Sequence, residues 1–167
     1  MTVPGSAIPL LLAQTAEDDY QVKRSARFND GDSAYLSKAF STGHRRTWTW
    51  SGWVKRTDTG SQKQGLFGVA SSNVFIRFNN DDGGSNLRVL DAGNYDVITK
   101  RKFRDISAWY HIVVVLDTTE STDSDRIKIY VNNVREEDWY GSPTWPGQND
   151  DETINTAVGH VIGVANP

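Results

Sequence analysis

From Lys23 onward, apolar and polar residues alternate in short runs broken by clusters of Gly, Asn, Asp and Ser. Alternation with period two puts one set of side chains on each face of an extended strand, and no useful length carries the 3.6-residue period of an amphipathic helix. The runs predict strands near 24–29, 34–37, 46–55, 64–70, 73–79, 86–91, 94–101, 109–117, 126–132, 134–138 and 157–163. That spacing, roughly 8 to 12 residues, is the rhythm of an antiparallel sandwich. The best-marked turns, NNDDGGSN at 79–86 and TTESTDSD at 118–125, are rich in residues that bond their own backbone or accept positive φ.

Three stretches say more than the rest. In YHIVVVLD, Tyr110, Ile112, Val114 and Leu116 share one face while Val113 and Val115 take the other, which predicts a central strand covered on both sides. In RIKIYVN, Ile127, Ile129 and Val131 alternate with polar or amphipathic neighbours, so one face is wet; Asn132 and Asn133 then supply the positive φ of a two-residue hairpin turn. In RRTWTWSGWVKR, Trp48, Trp50, Gly52 and Val54 face one way and are expected in the core, whereas Thr49, Ser51, Trp53 and Lys55 face the other. Trp53 is expected in a second layer of core, with an open sugar-stacking platform as the alternative.

Composition narrows the class. The 167 residues suit one domain, and 37% hydrophobic with 23% charged residues excludes a membrane protein and a wholly disordered chain. A net charge of -3 gives no footprint for nucleic acid. It hides an asymmetry: residues 23–56 hold eight Lys and Arg against two Asp, and 110–138 hold seven acids against three bases. Solvation explains this, and a basic edge meeting the acidic edge of a neighbouring copy is the sharper alternative. Zero Cys excludes a disulfide scaffold and fits assembly in a reducing cytoplasm. Residues 1–22 have no period and read as an arm; its run AIPLLLA is too short to span a bilayer, and no Lys or Arg precedes it to make a signal peptide. The chain is therefore expected to begin at its mature N-terminus. Exposed apolar residues are a liability, so Ile8, Leu10, Leu11 and Leu12 are expected to dock on another subunit or along their own domain.

The blocks RSARFNDGDSAYLSK, RRTWTWSGWVKR, GLFGVA, FIRFN, AWYHIVVVLDTTESTDSDRIKIYVNNV and NTAVGHVIG resemble laminin G-like domains of the concanavalin A-like superfamily, most closely those of tailed-bacteriophage virion proteins. The resemblance covers about residues 20–163. It implies an all-β, two-sheet antiparallel jelly-roll sandwich over 23–167, behind an arm at 1–22. It implies a virion location, with other virion proteins, further copies of the chain and a host-surface glycan as partners. Asn133 stands where the family has Gly. The family's closing pair of strands, an FDGYLAEVNFIDG-like segment, has no counterpart before Pro167, which implies a multimer or a longer polypeptide.

Catalytic chemistry has no candidates. Jelly-roll glucanases place acids at i, i+2 and i+4 of one strand, whereas Glu136, Glu137 and Asp138 are consecutive and read as a solvated strand end. His44, His111 and His160 lack metal spacing, and His111 is expected as a structural residue in or near the core beside Trp109. No cofactor is expected. Some relatives hold Ca2+ through loop oxygens, and the candidates here are Asn79, Asn80, Asp81 and Asp82, or Asp117, Asp123 and Asp125; turn chemistry explains both sets without a metal. For a glycan, Trp139, Tyr140 and Trp145 in DWYGSPTWPG form the candidate platform, and Trp53 is a separate candidate; the alternative for the loop is rings tucked over the sandwich end.

Overall fold

The computed structural model describes residues 24–60, 63–70, 72–79 and 84–164. Ten strands form among them: β1 (Leu36–Ala39), β2 (Thr47–Lys55), β3 (Gln64–Val69), β4 (Val74–Asn79), β5 (Asn86–Asp91), β6 (Tyr95–Ile98), β7 (Trp109–Asp117), β8 (Ile127–Val131), β9 (Val134–Arg135) and β10 (Gly159–Ile162). Among the described residues helix is limited to two three-residue 3₁₀ turns, Asp30–Asp32 and Asp123–Asp125. All pairings are antiparallel. They build a six-stranded sheet of order β1-β10-β3-β4-β5-β6 and a four-stranded sheet of order β2-β7-β8-β9. The chain is an all-β two-sheet sandwich, as its periodicity predicts.

The core lies between the sheets and follows the alternation. Ile76, Phe78, Leu87, Val89 and Val97 of the larger sheet meet Ile112, Val114, Leu116, Ile127, Ile129 and Val131 of the smaller. Trp48, Trp50 and Val54 of β2 pack against this cluster only half-buried, because β2 is an edge strand. Local chemistry sets the register. Asn132 and Asn133 take φ of 49° and 66°, the left-handed pair that a tight β8–β9 turn demands. Gly68 lets β4 come close, since a Cβ there would stand 2.6 Å from the Val74 carbonyl oxygen.

The two flanks of the sandwich differ. On one, the segment after β9 bridges to β6 through Asp96–Thr144 and Thr99–Trp139, with Lys100 N–H donating to Asp138 O and Tyr140 N–H to Ile98 O, both at 2.9 Å. On the other flank β2 and β1 are the terminal strands, and no described residue pairs with their outer sides. The larger sheet overhangs here. Val69 and Val74 meet Trp48 across the sandwich, and His160, opposite Val69, shares their inner face. So do Ile162 and Leu36, opposite each other, yet they are 41% and 58% exposed. A row of rings, Phe67, His160 and Phe40, continues this shelf.

Several expectations need correction. Residues 24–29 form no strand; flanking arginines leave Phe28 as their one large apolar residue, and its ring docks on Gly163, where φ is +93° and a Cβ would collide with it. The strand expected at 134–138 ends at Arg135. β7 is central in its sheet, but only its inner face is covered: Val113 and Val115 are half-exposed on the outer side. Ile8, Leu10, Leu11 and Leu12 lie outside the described residues, as do Asn80, Asp81, Asp82 and the side chain of Asn79.

Candidate functional site

The outer face of the four-stranded sheet gathers the exposed rings. The register with β7 sets its rows: Lys55 faces Trp109, Trp53 faces His111, Ser51 faces Val113, and Thr49 faces Val115. β8 extends two rows, with Tyr130 beside Val113 and Lys128 beside Val115; Arg135 of β9 follows Tyr130. Trp53 is 59% exposed, so it is an open ring rather than the second core layer expected of it. It stacks on His111 with centroids 5.0 Å apart and planes 28° from parallel. His111 is likewise half-exposed on this face and not in the core, because its position in β7 alternates with Ile112. Its Nε2 lies 3.1 Å from Ser51 Oγ, its N–H donates to Asn132 Oδ1 at 2.8 Å, and its carbonyl accepts from Asn132 N–H at 2.8 Å. Trp109, two residues along, is 47% exposed.

The opposite end of this face is ionic and internally paired. Lys128 Nζ meets Glu120 at 2.8 Å and Arg135 meets Asp125 at 2.6 Å. Each partner's charge moves in the expected direction: the bond to Glu120 raises Lys128, and the bond to Arg135 lowers Asp125. The acidic run of 110–138 thus finds several of its cations within the chain. Asp117 serves its own turn, accepting from the Thr119 hydroxyl at 2.6 Å and N–H at 3.0 Å, bonds that hold its carboxyl below the usual range. Asp123 accepts from Ser124 N–H. Asp117, Asp123 and Asp125 are therefore engaged separately, and among the described residues no three Asp, Glu or His side chains converge as metal ligands.

The DWYGSPTWPG loop presents fewer rings than its sequence promises. Trp139 and Trp145 meet edge to face, 5.4 Å apart, and pack against the core half-buried; Tyr140 is exposed on the sealed flank. Glu136 is not a solvated strand end. It is buried and paired with Arg101, while Glu137 and Asp138 are exposed. Of the other histidines, His44 is exposed beside Thr47, and His160 is fixed in the interior between Asn155 N–H and the Val158 carbonyl.

One chemically unusual cluster lies where sequence reading did not look. Glu152 and Asp91, 61 residues apart, are both buried beside Tyr95. Asp91 accepts from Thr153 N–H at 3.0 Å and Glu152 Oε2 from Asn94 Nδ2 at 3.1 Å, while Glu152 Oε1 and the Tyr95 hydroxyl find no hydrogen-bond partner among the described residues. Burial, with the charge of Asp91 added, pushes the Glu152 carboxyl up to about 7. A carboxyl of that acidity can hold a proton at neutral pH. No local motif announces the pair; only the fold brings it together.

Two antiparallel sheets packed face to face, with aromatic residues displayed on one outer face, are the architecture of a lectin-type sandwich. The chain belongs to the concanavalin A-like lectin/glucanase superfamily: its laminin G-like family model matches residues 28–160. No curated protein matches the chain.

Proposed function

We propose that the chain is a structural subunit of a bacteriophage virion, a tail-fibre or head-fibre component assembled in the host cytoplasm. Residues 1–22 anchor it to other virion proteins or to further copies, through Ile8, Leu10, Leu11 and Leu12, and the sandwich is displayed for assembly or host adsorption. The resemblance of the WTWSGWVKR and WYHIVV blocks supports the setting. The observation that carries the reading is the open flank. There, among the described residues, the nine-residue edge of β2 has no partner on its outer side and Leu36, Ile162 and Phe40 are exposed, surface that a neighbour could meet. Edge strands in isolated domains are usually short, charged or covered; β2 has one charge, Lys55, at its end, and no proline or bulge. The role is binding rather than hydrolysis, since the interacting acids Asp91 and Glu152 are out of reach of substrate.

Incorporation into particles tests this directly. Virions produced with the full chain should contain it, and virions produced with residues 1–22 removed should lack it, while the shortened chain still melts cooperatively. Equal incorporation of both forms would end the proposal. Light scattering of the 167-residue chain should report a multimer; a stable, well-dispersed monomer whose arm is open to protease would count against it.

A further inference from the structure

We infer that the outer face of the six-stranded sheet is the docking site of the chain's own N-terminal arm, with Ile8, Leu10, Leu11 and Leu12 laid across β10, β4 and β5 as a third layer. The inference goes beyond the proposed function and rests on the burial of that face, not on the virion setting. In a two-layer sandwich, side chains that point away from the partner sheet meet water unless something else passes over them. The four-stranded sheet follows this rule: on its outer face Trp53 and Trp109 are exposed, and Val113 and Val115 half-exposed. The six-stranded sheet departs from it. One row crosses that sheet from Ser37 through Val161, Gly68 and Phe75 to Leu90 and Asp96, each residue opposite the next. Phe75 and Leu90 alternate with the inward-facing Ile76 and Val89, so the row points outward. Even so, Phe75 and Val161 are 2% exposed and Leu90 is 9% exposed. Sheet neighbours alone do not give that burial, because Gly68, between Val161 and Phe75, has no side chain to shield either. Arg77, two residues along β4, holds its guanidinium 3.7 Å from the centre of the Phe75 ring and is itself only 6% exposed. A cation that caps a ring on an open surface keeps its charged end in water, so a buried one has a further layer above it.

Sequence and position point to the arm as that layer. Among the described residues every strand belongs to one of the two sheets, and the four-stranded sheet lies on the opposite side of the core. Of the remaining chain, residues 61–62, 71, 80–83 and 165–167 hold no large apolar side chain, whereas the arm carries the AIPLLLA run. The described chain also begins on this face. Phe28 sits where a Cβ of Gly163 would point, and Gly163 follows Val161 by two residues, the spacing that returns an extended chain to the same side. Reach is ample: β10 and β5 are three strand spacings of about 4.8 Å apart, and the eleven residues between Leu12 and Arg24 can span about 35 Å. The same run is the anchor of the proposed function. In the isolated subunit the anchor is therefore stowed on its own sheet, and a virion partner takes it by competing with that face.

The chain has no cysteine, so a single introduced thiol can carry a nitroxide at one known place. The test uses the full 167-residue chain with Ala13→Cys spin-labelled and its methyl groups observed by NMR. The methyl signals of Leu90 and Val161 should lose most of their intensity, while those of Val113 and Val115, on the opposite outer face, keep theirs. When spin-labelled chain is refolded together with isotope-labelled chain that bears no nitroxide, the loss should disappear, because each arm covers its own sheet. Leu10→Asp combined with Leu12→Asp should restore the Leu90 and Val161 signals and let protease cut the arm at least about tenfold faster, as a larger open population requires. Both changes lie outside the sandwich, so a cooperative melt should persist, which separates release of the arm from loss of the fold. Undiminished Leu90 and Val161 signals, or a loss that survives in the mixture, overturns the inference. A chain that enters particles with those signals undiminished leaves the virion reading standing and ends this one, and a docked arm on a chain that never enters particles does the reverse.

Discussion

The two flanks of the sandwich are made of the same materials and end in different states. Beside β6, the segment from Asp138 to Thr144 returns along the strand, exchanges backbone hydrogen bonds with it and folds Trp139 and Trp145 over the gap. Beside β2, an aromatic strand has no partner among the described residues on its outer side, opposite a shelf bearing Leu36 and Ile162. What separates them is cover, not composition: a ring is core or surface according to whether another strand passes over it. The comparison shows why sequence alternation identifies faces but not their fate.

The largest contrast should appear in matched aliphatic truncations. Ile129→Ala on β8, fully buried, should cost about 3 to 4 kcal/mol and lower the melting temperature by roughly 10 °C. Differential scanning calorimetry checks it, and a loss under about 1 kcal/mol would mean that the sheets are not tightly packed there.

Next in size is a pH effect at the strap that holds the open flank together at one end. There Arg45 Nε donates to Glu152 O at 2.7 Å, Arg45 Nη2 to Asp151 O at 2.9 Å, and Gly43 N–H to Asn155 O at 2.8 Å, tying the β1–β2 loop to residues 151–155. The Glu152 carboxyl rises from an ordinary 4.5 to about 7 in the fold, so the native state holds a proton that the unfolded state has released. Its contribution is complete below about pH 4.5 and is lost as pH rises through about 7, at a cost approaching about 3 kcal/mol. Glu152→Gln should therefore be more stable than the parent at pH 8 and close to it at pH 4.5. Urea midpoints across that range give the answer, and a difference that does not change with pH would refute it.

Smaller effects belong to the open flank itself. Trp50→Ala should cost about 2 kcal/mol, less than a fully buried indole, because β2 leaves the ring half-covered. Leu36→Ala should cost less than about 0.5 kcal/mol in a dilute, dissociated chain. A much larger loss at Leu36 in the multimer than in the monomer would show directly that a neighbour covers the shelf.

Much of the fold was legible. The strands at 47–55, 64–69, 74–79, 86–91 and 109–117 alternate strongly enough that expected and observed limits agree within a residue or so, and Asn132-Asn133 marked its turn. What failed had a common cause. A period-two pattern states which residues share a face, and whether that face is covered depends on strands far away in the chain. Val113 and Val115 looked like a second core face for that reason, and Trp53 like a second layer. Glu136 was hidden by its acidic neighbours: consecutive carboxylates look solvated, yet alternation turns one of them inward to Arg101. Phe28 read as part of a strand because nothing in RSARFN foretells the gap above Gly163. The Asp91–Glu152 pair had no local signature at all.

The pairing of β1 with β10 has a further consequence, for the order in which the molecule can form. Leu36 must find Ile162, more than 120 residues later, before the larger sheet has its outer edge. The hairpins β3–β4, β4–β5, β5–β6 and β7–β8 close over short loops and can assemble while the chain is still emerging from a ribosome. β1 cannot; it waits, exposed, until the last described strand is made. The shelf at the open flank is therefore the last surface to come into being, and any neighbour that docks there meets a subunit only after the rest of it has folded.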